Sequence, residues 1–225
     1  MVAITEKINE IERRLEAGED VRKEFWRLAG EVKRSRIRED DVINRLSRIR
    51  DRLFEKETVI GFREGFALFS ILFLLFNFLF FHASLKMENG AVKAITILGI
   101  EIGIVYTSFL VGRCIGSLIS RIGVDGFYRY SNLEFGVKMN YRDYLKAEPV
   151  NRVILFSGAI FLEHLILAIH LIFLLTINSY WIIPAFILII NLPFSYLIHR
   201  IARTGELHRL LRELRIFREI KRTHE

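Results

Sequence analysis

The chain has no glutamine, three prolines and one cysteine in 225 residues. A lone Cys114 excludes an intramolecular disulfide and any metal site built from several thiolates. The missing glutamine, set beside abundant Arg, Glu, Lys and Ile, fits a thermophile's bias against thermolabile side chains. There is no glycine-rich phosphate loop, dinucleotide-binding turn, zinc pattern or HExxH. The first 60 residues are charged throughout, unlike a short basic stretch followed by an apolar core, so no secretory signal is expected there. No enzyme is indicated and no cofactor is implied.

Charge is also missing, from four long stretches. Gly65 to Phe81 and Tyr180 to Ile198 carry none. Ala94 to Ser120 carries only Glu101 and Arg113, and Val153 to Ile177 only Glu163. A hydrocarbon core takes roughly 20 apolar residues in a helix, and lipid leaves backbone polar groups to bond within the helix. The chain is 52% hydrophobic with a mean hydropathy of +0.28. It is therefore expected to be an all-α polytopic membrane protein of four transmembrane helices, at about 64–82, 93–120, 153–177 and 180–199. N- and C-terminal helical extensions flank them, and 121–152 is expected as a loop.

The net charge is +7, but its distribution points to a membrane and away from nucleic acid. With four spans, both termini and the 121–152 loop share one side. The other side carries only Lys86 and Lys93. Setting those two and Arg113 apart, the other 30 of the 33 basic residues lie on the first side. Basic residues mark the cytoplasm, so a multi-pass protein of the cell membrane with both termini cytoplasmic is expected. Tyr180 and Trp181 suit an aromatic belt on the far side.

The first 60 residues show helical periodicity. Ile4, Ile8, Ile11 and Leu15 form one stripe, Val21, Phe25, Leu28 and Val32 a second, Val42, Leu46, Ile49 and Leu53 a third. With 15 basic and 14 acidic side chains, this is a solvated surface, read as a small bundle or a coiled-coil element. Residues 201–225 read as a basic amphipathic helix with Leu207, Leu210, Leu211, Leu214 and Phe217 on one side. It could lie on lipid headgroups or pack on the N-terminal helices.

The polar residues within the spans are the candidate site. Counting depth along each helix places Asn77, Glu101 and His170 in one layer of the far half. Glu163, His164 and Asn191 fall near the midplane. Glu163 and His170 are seven apart and share a face, as do Glu101 and Ser108. Gly99, Gly103, Gly112 and Gly116 form two small-xxx-small pairs that allow close helix packing. Pro193 interrupts the last span as a kink or gate. Arg113 is expected to snorkel to the surface, and Phe66, Phe69, Phe73, Phe76 and Phe80 to form a ridge facing lipid or another subunit. Intramembrane carboxylates are costly and mark function by default. The leading reading is a homo-oligomeric cation channel or transporter. The alternatives are a membrane-anchored scaffold whose cytoplasmic helices bind a soluble partner, and an intramembrane metal or haem protein.

Overall fold

The computed structural model describes residues 2–54, 57–129, 135–177, 179–201 and 205–222. The described residues are 80% helical. Helices α1 (Val2–Glu16), α2 (Arg22–Arg34) and α3 (Asp40–Leu53) come first. Gly18, at φ +79°, turns the chain out of α1, a left-handed conformation that costs glycine little. Helix α3 opens on Asp40 and Asp41 and closes on Arg50 and Arg52, matching the helix dipole at both ends. The three apolar stripes close on one another. Ile8, Phe25, Leu28, Val32, Ile43, Leu46 and Ile49 form one core with Tyr141, Tyr144 and Leu145 of α6 (Tyr141–Lys146) and with Leu155 and Phe156 of α7 (Pro149–Thr176).

Three helices are long and apolar enough to cross a membrane: α4 (Phe62–Lys86), α5 (Ala91–Ser120) and α7. A further helix, α8 (Ile182–Ile201), holds Pro193 and is apolar over Ile182–Asn191. Their lengths differ, and the difference organises the molecule. At ~1.5 Å per residue α5 and α7 reach about 45 and 42 Å, against about 37 Å for α4 and 30 Å for α8. A hydrocarbon core is ~30 Å thick. The lower ends of α5 and α7, on the side of the charged helices, therefore project past their neighbours.

Two elements cover the projecting ends. The first corrects the expectation of a loop over 121–152. Strands β2 (Val124–Arg129) and β3 (Phe135–Met139) form an antiparallel hairpin, β1 (Thr58–Ile60) adds to β2, and α6 follows. Residues 130–134 of that segment lie outside the described residues. The hairpin is held by aromatic burial. Phe127 is fully buried and stacks near Phe69, with ring centroids 4.9 Å apart; Gly65 leaves room for its ring. The Phe135 amide donates to the Tyr106 hydroxyl at 2.8 Å. A six-residue alternation is too short to stand out in a charged loop.

The second cover is α9 (Gly205–Arg222), which packs along α7, α8 and α2. Its buried face is Glu213, Ile216 and Ile220, while Leu211 and Phe217, expected on the apolar side, are exposed. Tertiary contact with α2 and α7 selected a different stripe from the one that leucine spacing suggests.

The α5–α7 crossing is the closest in the bundle. A Cβ on Gly112 would stand 2.6 Å from the Gly158 carbonyl oxygen, and one on Gly116 2.8 Å from that of Leu155. Gly158 answers from α7, where a Cβ would meet the Gly112 oxygen at 2.5 Å. Gly103 instead accommodates the ring of Phe76 on α4, and Gly99 has open space around it among the described residues. The phenylalanine stripe of α4 also turns inward. Phe69 and Phe80 are buried and Phe66 and Phe73 pack against the core, so the expected outward ridge is corrected. The face that α4 leaves exposed is Ile71, Leu74, Leu75 and Phe78. Substituting Gly158→Val should force α5 and α7 apart and cost about 1–3 kcal/mol, read as a lower melting temperature in detergent, whereas Gly99→Val should leave it near that of the parent.

Candidate functional site

The far layer assembles as three helices present one side chain each. Asn77 of α4, Glu101 of α5 and His170 of α7 form a chain of hydrogen bonds. His170 Nε2 lies 3.1 Å from Asn77 Oδ1, and Nδ1 lies 3.1 Å from Glu101 Oε1. Both His170 and Glu101 are fully buried. Phe80 stacks on the imidazole with ring centroids 3.7 Å apart and planes 11° from parallel, and Phe81 meets it edge-on.

The protons in this chain follow from its acceptors. Asn77 Nδ2 donates to the Phe73 carbonyl at 2.6 Å, so the amide oxygen faces His170 and Nε2 must donate. Nδ1 and Oε1 would otherwise be two acceptors facing each other. One proton therefore lies between them, on the imidazolium or on the carboxyl. Glu101 Oε2 is buried and has no partner among the described residues.

Lower down, Asn191 of α8 donates to Glu163 of α7. His164, the next residue on α7, turns elsewhere. Its Nδ1 lies 2.8 Å from the Ile160 carbonyl, and its Nε2 is buried with no partner among the described residues. Beside it opens an apolar groove of about 440 Å³ lined by Ser157, Ile160, Phe161, Leu165 and Leu210. Ser108 does not join either layer; its hydroxyl returns to the Val105 carbonyl of its own helix at 2.9 Å. Glu163 and His170, on one face of α7, thus engage different helices at different depths.

At the charged end lies a cluster that periodicity did not single out. The carboxylate of Glu213, 1% exposed, accepts from Lys33 Nζ of α2 at 2.6 Å, from Tyr144 of α6 at 2.6 Å and from Arg152 Nε of α7 at 2.9 Å. Arg212 approaches it at 3.3 Å. Arg152 also donates to the Ala147 carbonyl at 2.5 Å. Three separate elements, α2, α6 and α7, are pinned to one carboxylate of α9. The available signal was Glu213 itself, an acid standing on the same helical stripe as Ile216 and Ile220. Arg113 joins the same end and corrects the expectation that it snorkels: its guanidinium is buried, paired with Glu206 of α9 and set over the ring of Phe156 at 4.5 Å. It lies on the projecting part of α5, where α9 supplies a carboxylate.

The charges in the Glu213 cluster are unequal, and titration reflects it. Burial alone would raise the Glu213 carboxyl, but Lys33, Tyr144 and Arg152 hold it down to about 2. Burial lowers Lys33 to about 8, since one carboxylate offsets it while Arg212 and Arg152 repel it. Glu213 sees several donors, whereas Lys33 sees one anion and two cations. Burial and Glu213 also raise the Tyr144 hydroxyl well above its ordinary value.

Among the described residues no three His, Cys, Asp or Glu side chains gather as a metal site. Comparison with protein-family models, curated proteins and solved structures finds no match.

The two shifts give pH signatures of the same sign in separate windows, stability rising with pH in each. Glu213 binds its proton more weakly folded than unfolded, so its stabilisation is present above about pH 4.5 and is lost as the pH falls toward about 2. Lys33 also binds its proton more weakly when folded, so its cost is relieved as the pH rises from about 8 toward 10.5. Thermal unfolding against pH should show both slopes. Lys33→Met should abolish the alkaline one, and Glu213→Gln should lower stability by about 3 kcal/mol or more by leaving buried cations unpaired.

Proposed function

We propose that the protein is a four-span integral membrane protein of the cell membrane, with both termini cytoplasmic, and that it transports cations, protons in the first place, through its Asn77–His170–Glu101 layer. Helix α8 is the fourth span in this reading, 20 residues long. The asymmetry of basic residues supports the orientation. Cysteines placed at Asn89 and at Ser35 test it: an impermeant thiol reagent on intact cells should label the first and not the second.

The observation that carries the transport reading is the 3.1 Å approach of His170 Nδ1 to Glu101 Oε1, with Oε2 buried and unpartnered among the described residues beside it. A group that serves only to hold helices together gains nothing from an unsatisfied buried oxygen, which costs on the order of 1–3 kcal/mol. An apolar pair of the same shape would pack at least as well. The same oxygen is a ready acceptor for a further proton. Full burial suits a proton better than a hydrated metal cation. Glu163 and Asn191 form the next polar step toward the charged end, and Pro193, two residues beyond Asn191, frees a carbonyl of α8 and supports a role as a bend or gate.

Self-association through the N-terminal helices has less to support it, because their apolar stripes are covered within one chain. The open surface at Gly99, flanked by exposed Ile95, Leu98 and Ile102, is the better candidate for a homo-oligomeric contact in lipid. A scaffold for a soluble partner is the second reading, and the Glu213 cluster favours it by fixing the charged helices to α7. Haem ligation at His170 is disfavoured, since both ring nitrogens are engaged; His164 Nε2 offers a lone pair.

Proteoliposomes holding a pH-sensitive dye test the transport reading. The parent chain should dissipate an imposed pH gradient faster than empty vesicles. Glu101→Gln keeps the shape but removes the proton-accepting carboxylate, and should cut that rate by about a hundredfold or more, the order by which a positioned proton-transfer group speeds such steps, with an unchanged elution profile. A parent chain no faster than empty vesicles, or a variant as fast as the parent, overturns it.

A further inference from the structure

The Glu213 cluster holds more positive charge than it neutralises. Lys33, Arg152 and Arg212 all face one carboxylate. The nearby Arg50 is balanced by Asp51 at 2.9 Å, so the surplus rests with the first three. Two donors in the same cluster are buried and unpartnered among the described residues: Arg152 Nη2 and the Tyr141 hydroxyl. Arg152 is 2% exposed and Tyr141 5%. Both groups belong to side chains held firmly in place. Arg152 is fixed by Glu213 and the Ala147 carbonyl, and the Tyr141 ring by Phe25, Tyr144 and the guanidinium of Arg50, which lies 5.5 Å above it.

Unsatisfied donors and uncompensated cations are both costly inside a protein, and one occupant relieves both. It must carry close to two negative charges and accept from several directions. A phosphate group meets these needs, with about −1.5 to −2 charge at pH 7 and three or more acceptor oxygens, and arginine is the side chain best shaped to bind it. We propose that the junction of α2, α6, α7 and α9 is a binding site for a phosphate group, held by Arg152, Tyr141 and Arg212. Arg212 stands at the solvent edge with its side chain 37% exposed and its guanidinium over the ring of Trp26, 5.9 Å from the centroid. It is the residue that moves aside to admit the ligand. The site lies in the first turn of α7, just below the apolar part of that helix, so phosphate can reach it from solution or as the headgroup of a phosphomonoester lipid. Burial holds Lys33 low, and repulsion from Arg212 and Arg152 adds to it.

Trp26 reports on the site. The chain has two tryptophans, and Trp181→Phe leaves Trp26 as the only one. The full chain carrying this change is titrated in detergent with inorganic phosphate, using sodium chloride at matched ionic strength as the control. It is then placed in nanodiscs of phosphatidylcholine alone or with phosphatidic acid. A saturable change in Trp26 emission is expected with phosphate but not chloride if the free ion binds, and with phosphatidic acid alone if the site takes headgroups. In either case Tyr141→Phe, which removes a hydroxyl with no partner among the described residues, should weaken binding roughly tenfold while leaving the ligand-free melting temperature unchanged. Arg212→Ala should weaken it as well. A response absent from every arm, or one that chloride reproduces, overturns the proposal, and so does a Tyr141→Phe chain that binds as tightly as its parent.

Discussion

Gly112 and Gly116 on one helix and Gly158 on the other let two backbones touch, and the rest of the molecule depends on that contact. It fixes α5 against α7 near their lower ends. Above it, the pairing sets Glu101 opposite His170. Below it, the two longest helices stay together past the apolar layer and form a stem. The sheet packs onto α4 and the α5 side of that stem, α9 packs along its α7 side, and the three N-terminal helices pack onto α6, α9 and the foot of α7. A side chain at either crossing glycine would separate the helices at the level where every other element takes its bearings.

The stem also explains where charge is tolerated. Arg113 and Arg152 are buried, yet each lies on the projecting part of its helix, within reach of a carboxylate on α9. The far layer solves the same problem differently. No solvent-side helix can reach it, so Glu101 is partnered from α7, and His170 in turn from α4. Burial of polar groups is thus matched by opposite charge at one end and by a hydrogen-bonded chain at the other.

Depth counting along helices was enough to bring Asn77, Glu101 and His170 together on paper, because rise per residue is fixed and all three lie near helix ends that define the far boundary. The close packing of Gly112 and Gly116 was legible from their spacing, whereas Gly99 has open space around it among the described residues. The Glu213 cluster was not, since its members come from α2, α6, α7 and α9, and only tertiary packing unites them. The phenylalanine stripe misled because an aromatic ridge suits lipid and core equally; Phe80 turned inward to stack on an imidazole that periodicity cannot locate. The hairpin escaped notice because Phe127 and Phe135 find their partners on α4 and α5, not within the hairpin.

Helix α7 runs unbroken from Pro149 to Thr176, with Arg152 at its foot and His170 about 27 Å above it. An intact helix is stiff along its axis. A displacement of the foot along the helix axis is therefore carried to the imidazole that stands against Asn77 and Glu101. The hydrogen bonds there tolerate only tenths of an ångström. The helix makes a pushrod between a charged socket and a hydrogen-bonded one, so the two share a single mechanical coordinate.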